Sequence, residues 1–154
     1  MATPEYLAGR ATEIADAHEK VTVEVLDREG ISAAGMGGLE AVSKGGQHVE
    51  PRLITLRYTG RGDGKVLGLV GKSVTFDTGG ISIKPSGGME EMKMDMSGGA
   101  AVLEAVDAIA SLDLASWGQK AGEAVAPTFV VQPGNTARPA TTVIAARSRF
   151  LLFM

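Results

Sequence analysis

Cysteine is missing from all 154 residues, and histidine occurs only twice. Disulfides and thiolate metal sites are therefore excluded, and a bound metal would have to use oxygen and nitrogen ligands. A strong excess of one charge is missing too: 15 basic residues stand against 18 acidic ones. The net charge of −3 gives no electrostatic reason to expect nucleic acid or a membrane surface as partner. Neither a signal peptide nor an apolar run of about 18 residues is present, so a cytoplasmic location is the expectation. Nucleotide-binding loops are missing as well. Gly71-Lys72-Ser73 mimics the end of a phosphate loop, but the glycine such a loop needs earlier is Val66. Gly35, Gly37 and Gly38 make no dinucleotide fingerprint. Arg61-Gly62-Asp63 reads as a hairpin turn.

What is present suits one globular domain with a reasonable core. Apolar residues make up 44% and charged residues 21%. Glycine, at 21 residues, has about twice its usual share. Thr3-Pro4-Glu5 supplies an N-cap, a first-turn proline and an acidic first turn. Leu7, Ala11, Ile14, Ala15 and His18 follow at helical spacing, which puts His18 on the packed face. Val21 to Asp27 and Arg52 to Tyr58 alternate like half-buried strands, and a short helix is expected from Gly37 to Ser43. The apolar run Val66 to Val70 reads as a central strand of a parallel or mixed sheet. The whole is an α/β pattern. His48 is expected on a surface loop.

The chemistry concentrates between Val70 and Gly99. Lys72, Asp77, Lys84 and Asp95 are set 5, 7 and 11 residues apart among glycines, Ser/Thr and apolar residues. A strand leads in and a helix-like run, Gly98 to Leu112, leads out. Charges so placed after a buried strand point to a site, because α/β proteins carry their chemistry at the C-terminal ends of strands. Met89, Met92, Met94 and Met96 could line an apolar substrate pocket or fill the core. Glu90 and Glu91 read as solvent-facing.

This segment resembles the signature region of the leucyl (cytosol) aminopeptidase family. There a strand ending V-G-K-G-[IV]-T-F-D-[ST]-G-G-[IV]-S-[IL]-K-P is followed by a loop, D-M-G-G-A and a helix. Here it reads Val70-Gly71-Lys72-Ser73-Val74-Thr75-Phe76-Asp77-Thr78-Gly79-Gly80-Ile81-Ser82-Ile83-Lys84-Pro85, then Asp95-Met96-Ser97-Gly98-Gly99-Ala100. Gly35 to Gly46 and Glu50 to Gly60 resemble the start of the same catalytic domain, so the likeness runs from about Pro4 to Leu114.

The resemblance implies a partial leucyl aminopeptidase-type catalytic domain, a mixed sheet flanked by helices, releasing N-terminal amino acids from peptides. It implies two divalent ions, Mn²⁺ or Zn²⁺ with Mg²⁺ as a further option, and a homo-oligomer. Asp77 would bridge the ions, Asp95 would be a terminal ligand, and Lys72 would bind as a neutral amine. Lys84 would stay protonated and polarise the scissile carbonyl. Met89 or Met92 would touch the substrate side chain. Gly79 and Gly80 let backbone approach metal or substrate closely.

The departures carry equal weight. The family's later N-T-D-A-E-G-R segment, which completes the metal sites and holds a base, has no counterpart, and Glu123 is the sole acidic residue after Asp113. The chain thus divides into an aminopeptidase-like part, residues 1–114, and a divergent tail, 115–154, expected to be less ordered than the core. An alternative is a non-catalytic remnant acting as a weak metal-binding or interaction module. An esterase on the same scaffold is a further alternative, but Ser73, Ser82, Ser86 and Ser97 have no histidine near them in sequence.

Overall fold

The computed structural model describes residues 2–46, 48–60, 68–114, 128–132, 144–146 and 150–152. The elements run α1 (Pro4–Ala17), β1 (Val21–Leu26), α2 (Arg28–Ala33), α3 (Gly37–Ser43), β2 (Arg52–Tyr58) and β3 (Val70–Val74). A 3₁₀ turn (Met89–Met94), α4 (Ser97–Ser111), β4 (Thr128–Gln132), β5 (Ile144–Ala146) and β6 (Phe150–Leu152) follow. Local chemistry explains the helix starts. The Thr3 side chain accepts a hydrogen bond from the Tyr6 N–H, capping α1, and Asp27 caps α2 through the Gly30 N–H.

Four strands form one mixed sheet in the order β1-β2-β4-β3. β1, β2 and β4 pair antiparallel, whereas β3 and β4 are parallel. β5 and β6 form a separate antiparallel pair. The period of two along a strand sorts β2 between two cores. Ile54, Leu56 and Tyr58 point to one face, where they meet Leu7, Ala11 and Ile14 of α1 and Leu103 and Val106 of α4. Their cross-strand neighbours on β1 are Val25, Val23 and Val21, which continue the same face. Leu53 points to the other face and packs with Ile31 of α2 and Leu39 of α3. Helices therefore flank the sheet on both sides. Burying side chains such as Ile54 and Leu56 contributes about 1.5–3 kcal/mol each.

Two expectations need correction, and one helix was missed. The strand expected over Val66 to Val70 begins at Val70 and runs to Val74, leaving Gly68 and Leu69 irregular and residues 61–67, with the Arg61-Gly62-Asp63 turn, outside the described residues. It is also not central: among the described residues β3 ends the sheet, because β4 takes the inner place beside β2. Helix α2 was not foreseen, although Asp27 and Glu29 carry a cap and first-turn signal for it. The tail supplies β4, and the order of residues 115–127, 133–143, 147–149 and 153–154 lies outside the described residues.

Candidate active site

β3, α4 and the parallel strand β4 form a β-α-β unit, and the four charged residues collect at its business end. Lys72 sits on β3, and Asp77 follows the strand by three residues. Asp95 lies two residues before α4, at the end of the 3₁₀ turn. Strand end and helix start are thus brought together by docking α4 on β3, which is where a doubly wound sheet opens a crevice.

The docking is backbone on backbone. A Cβ on Gly71 would lie 2.5 Å from the Gly98 carbonyl oxygen and 2.6 Å from Gly99 Cα. A Cβ on Gly98 would come within 3.3 Å of the Lys72 backbone N and O. Gly99, itself buried, faces Ser73, whose Oγ lies 1.4 Å from where a Gly99 Cβ would stand. Small residues here let the N-terminal turn of the helix lie directly against the strand. Sequence reasoning passed over Ser73 and Gly99 as a pair. Their contact joins residues far apart in the chain.

The loop after β3 is wound by two glycines with positive φ, Gly79 at 87° and Gly80 at 69°. Asp77 Oδ1 accepts a hydrogen bond from the Gly79 N–H at 2.8 Å, an Asx turn, and the Thr78 carbonyl accepts from the Lys84 N–H at 2.9 Å. The loop closes back on itself, with Ile81 fully exposed at its tip and Lys84 returned to Asp77. So Gly79 and Gly80 serve the turn.

Two lysine–carboxylate pairs result. Lys84 Nζ lies 2.7 Å from Asp77 Oδ2 and also donates to the Asp77 carbonyl oxygen at 3.1 Å. Lys72 Nζ lies 2.8 Å from Asp95 Oδ2. Asp95 Oδ2 is buried and has this ion pair but no further hydrogen-bond partner among the described residues. Burial pushes the Asp77 carboxyl up, but hydrogen bonds from Lys84 and Gly79 and the charges of Lys84 and Lys72 outweigh it and hold Asp77 below the usual carboxylate range. Lys72 is felt at Asp77, so the two pairs form one electrostatic unit.

The donor set is chemically suited to a hard or borderline divalent cation: two carboxylates, one with a buried oxygen whose partner is the Lys72 ammonium, and amines beside them. It is also thin. Among the described residues no three His, Cys, Asp or Glu side chains converge as a cation site.

Met89 and Met92 are half-buried in the 3₁₀ turn, Met94 is exposed, and Met96 packs against the main core. Glu90 and Glu91 are exposed, as is His48. His18 is not simply a packed side chain: as the C-cap of α1 it places Nε2 2.7 Å from Asp107 Oδ1 on α4, and Arg10 holds the other oxygen of Asp107 and both oxygens of Glu104. This cluster ties α1 to α4 away from the candidate site.

A model of the cytosol aminopeptidase family, catalytic domain, matches residues 1–146. The chain belongs to this family. A probable cytosol aminopeptidase of Cupriavidus pinatubonensis is 45% identical over 147 residues, which is 95% of this chain and 28% of that protein. One from Xylella fastidiosa (strain M23) is 50% identical over 101 residues, 66% of this chain and 20% of its own length. The fold agrees with the family's solved structures. The leucyl aminopeptidase of Trypanosoma cruzi in its apo form superposes with a TM-score of 0.74 at 30% identity, over 89% of this chain and 25% of that one. The bottromycin maturation enzyme BotP in complex with Mn gives 0.71 at 33% identity, over 90% and 29%. The chain therefore spans between a fifth and three tenths of the length of these similar proteins. The family match also reaches beyond Leu114 into the tail, through β4 and β5.

Proposed function

We propose that this chain carries the lysine-and-aspartate portion of a metal-dependent aminopeptidase site, acting on the N-terminal residue of peptides. The observation that carries the reading is the pairing of Lys72 with the buried Asp95 Oδ2 at 2.8 Å, beside the Lys84–Asp77 pair, in a chain similar to a structure described in complex with Mn. Asp77, Asp95 and Lys72 would hold divalent ions, Mn²⁺ first and Zn²⁺ or Mg²⁺ as alternatives. A bound ion of this kind supplies Lewis acidity and a water reactive at neutral pH. Lys84 brings a positive charge for the oxygen of the scissile carbonyl, and to reach it the ammonium must leave Asp77. Met89 and Met92, next to the site in sequence and half-buried, are the proposed contacts for an apolar substrate side chain.

A second reading has its own support. With no group of three His, Cys, Asp or Glu side chains among the described residues, the chain has too few ligands to hold two ions by itself. It would then act as a weak single-metal or interaction module, or gain full activity in a homo-oligomer. Leucine-p-nitroanilide hydrolysis with and without Mn²⁺, paired with metal analysis, separates the readings. Mn²⁺-stimulated turnover at about 1 s⁻¹ or faster supports a complete enzyme. Metal uptake with turnover orders of magnitude slower supports the module. Neither uptake nor turnover removes the metal site. No helix among the described residues is long and apolar enough to cross a membrane.

A further inference from the structure

We infer that Ser73 is a positioning residue: its contact with Gly99 sets the seat of α4 on β3 and thereby the distance between Lys72 and Asp95. The side chain is 1% exposed, and its Oγ has no hydrogen-bond partner among the described residues. A buried hydroxyl without a partner is unfavourable, so it is not there for its hydrogen bonding. Its position gives the reason for it. Oγ fills the space that a side chain on Gly99 would need, at 1.4 Å from that Cβ position, with Ser73 Cβ at 2.8 Å. Ser73 thus acts as a spacer between strand and helix. One residue earlier on the strand is Lys72, and four residues before Gly99 is Asp95.

The geometry at the seam leaves little slack. Gly71 meets the Gly98 carbonyl and Gly99 Cα, and Gly98 meets the backbone of Lys72. At Gly71 and Gly98 these are backbone contacts, and at Gly99 a rotation of the Ser73 hydroxyl would still leave Ser73 Cβ 2.8 Å away, so added bulk must lift the helix start. Lifting it carries Asp95 away from Lys72. The loop holding Lys84 on Asp77 closes through its own hydrogen bonds, Gly79 to Asp77 and Lys84 to Thr78, none of which crosses the seam. Bulk at Ser73–Gly99 should therefore break one ion pair and spare the other. As applied to metal binding, the inference rests on the proposed function; as applied to the ion pair, it does not.

Zero-length carbodiimide crosslinking with mass spectrometry reads both pairs at once, since it joins a lysine to a carboxylate in contact with it. The Asp95 and Asp77 side chains keep 20% and 16% of their surface exposed, although Asp95 Oδ2 itself is buried. The parent should give both links. Gly99→Ala and the milder Ser73→Thr should lower the Lys72–Asp95 link about tenfold relative to the Lys84–Asp77 link, the scale of an overpacking strain. The double variant Gly99→Ala with Ser73→Gly, which clears the colliding atoms, should restore it. If both links fall together in Ser73→Thr, the contact serves the fold as a whole and the inference is overturned. If the ratio is unchanged in Ser73→Thr, or the double variant fails to restore it, the inference is likewise overturned. Titration of the parent with Mn²⁺ reports on the metal reading alone, since absence of uptake would end that reading and leave the crosslinking result to stand.

Discussion

Lys84 Nζ rests on Asp77 twice, 2.7 Å from its carboxylate and 3.1 Å from its backbone carbonyl. The ammonium thus occupies the carboxylate that a cation would need, and the two compete for it. Asp77→Ala should abolish Mn²⁺ uptake, whereas Lys84→Ala should leave it unchanged or tighten it and remove any peptidase activity. Calorimetric titration of both variants measures this. Equal affinity in Asp77→Ala and the parent would sink the assignment.

Ser73→Ala should stabilise the protein by about 1 kcal/mol, because it removes a buried hydroxyl that lacks a partner. Urea unfolding at neutral pH would show the gain as a higher midpoint at constant slope. A lower midpoint would mean that the hydroxyl contributes more by filling space than it costs by desolvation.

Gly79→Ala should lose about 1–3 kcal/mol and loosen the loop. The residue has φ of 87°, and a Cβ there would lie 2.5 Å from the Ser82 carbonyl oxygen. Since the loop returns Lys84 to Asp77, the same change should weaken their carbodiimide crosslink. Wild-type stability together with a wild-type link would contradict the turn's role.

Acid should weaken the joint between α1 and α4. The hydrogen bond with His18, the one from Arg10 and the charges of both outweigh burial and hold the Asp107 carboxyl below its usual range. Hydrogen bonds from Arg10 do the same for Glu104. A carboxylate whose folded pKa is depressed stabilises the fold above its unfolded pKa, and that contribution is lost as pH falls through the folded value. Asp107→Asn should therefore cost about 1 kcal/mol at neutral pH, the upper range for partly exposed pairs. The gap to the parent should close as pH drops below about 4. Urea midpoints measured across that range would test the sign; a gap that does not change with pH would show that the charge of Asp107 adds nothing.

Much of the fold was legible because it is written in short-range patterns. Thr3 and Pro4 announce α1, and the alternation of Val21, Val23 and Val25 announces a strand with one buried face. His18 illustrates the limit. Its spacing placed it on the packed face of α1, but its partner Asp107 lies 89 residues away, and no local signal names it.

The sequence by itself determined the family likeness and the four charged residues with the glycines among them. These depend on residue identity and on backbone freedom over a few residues. Only the tertiary structure decided which lysine meets which aspartate, that β4 enters between β2 and β3, and that Ser73 abuts Gly99. Each of these depends on how a helix seats on a strand or how strands are ordered in a sheet. Such contacts join distant residues through packing, which hydrophobic periodicity does not encode.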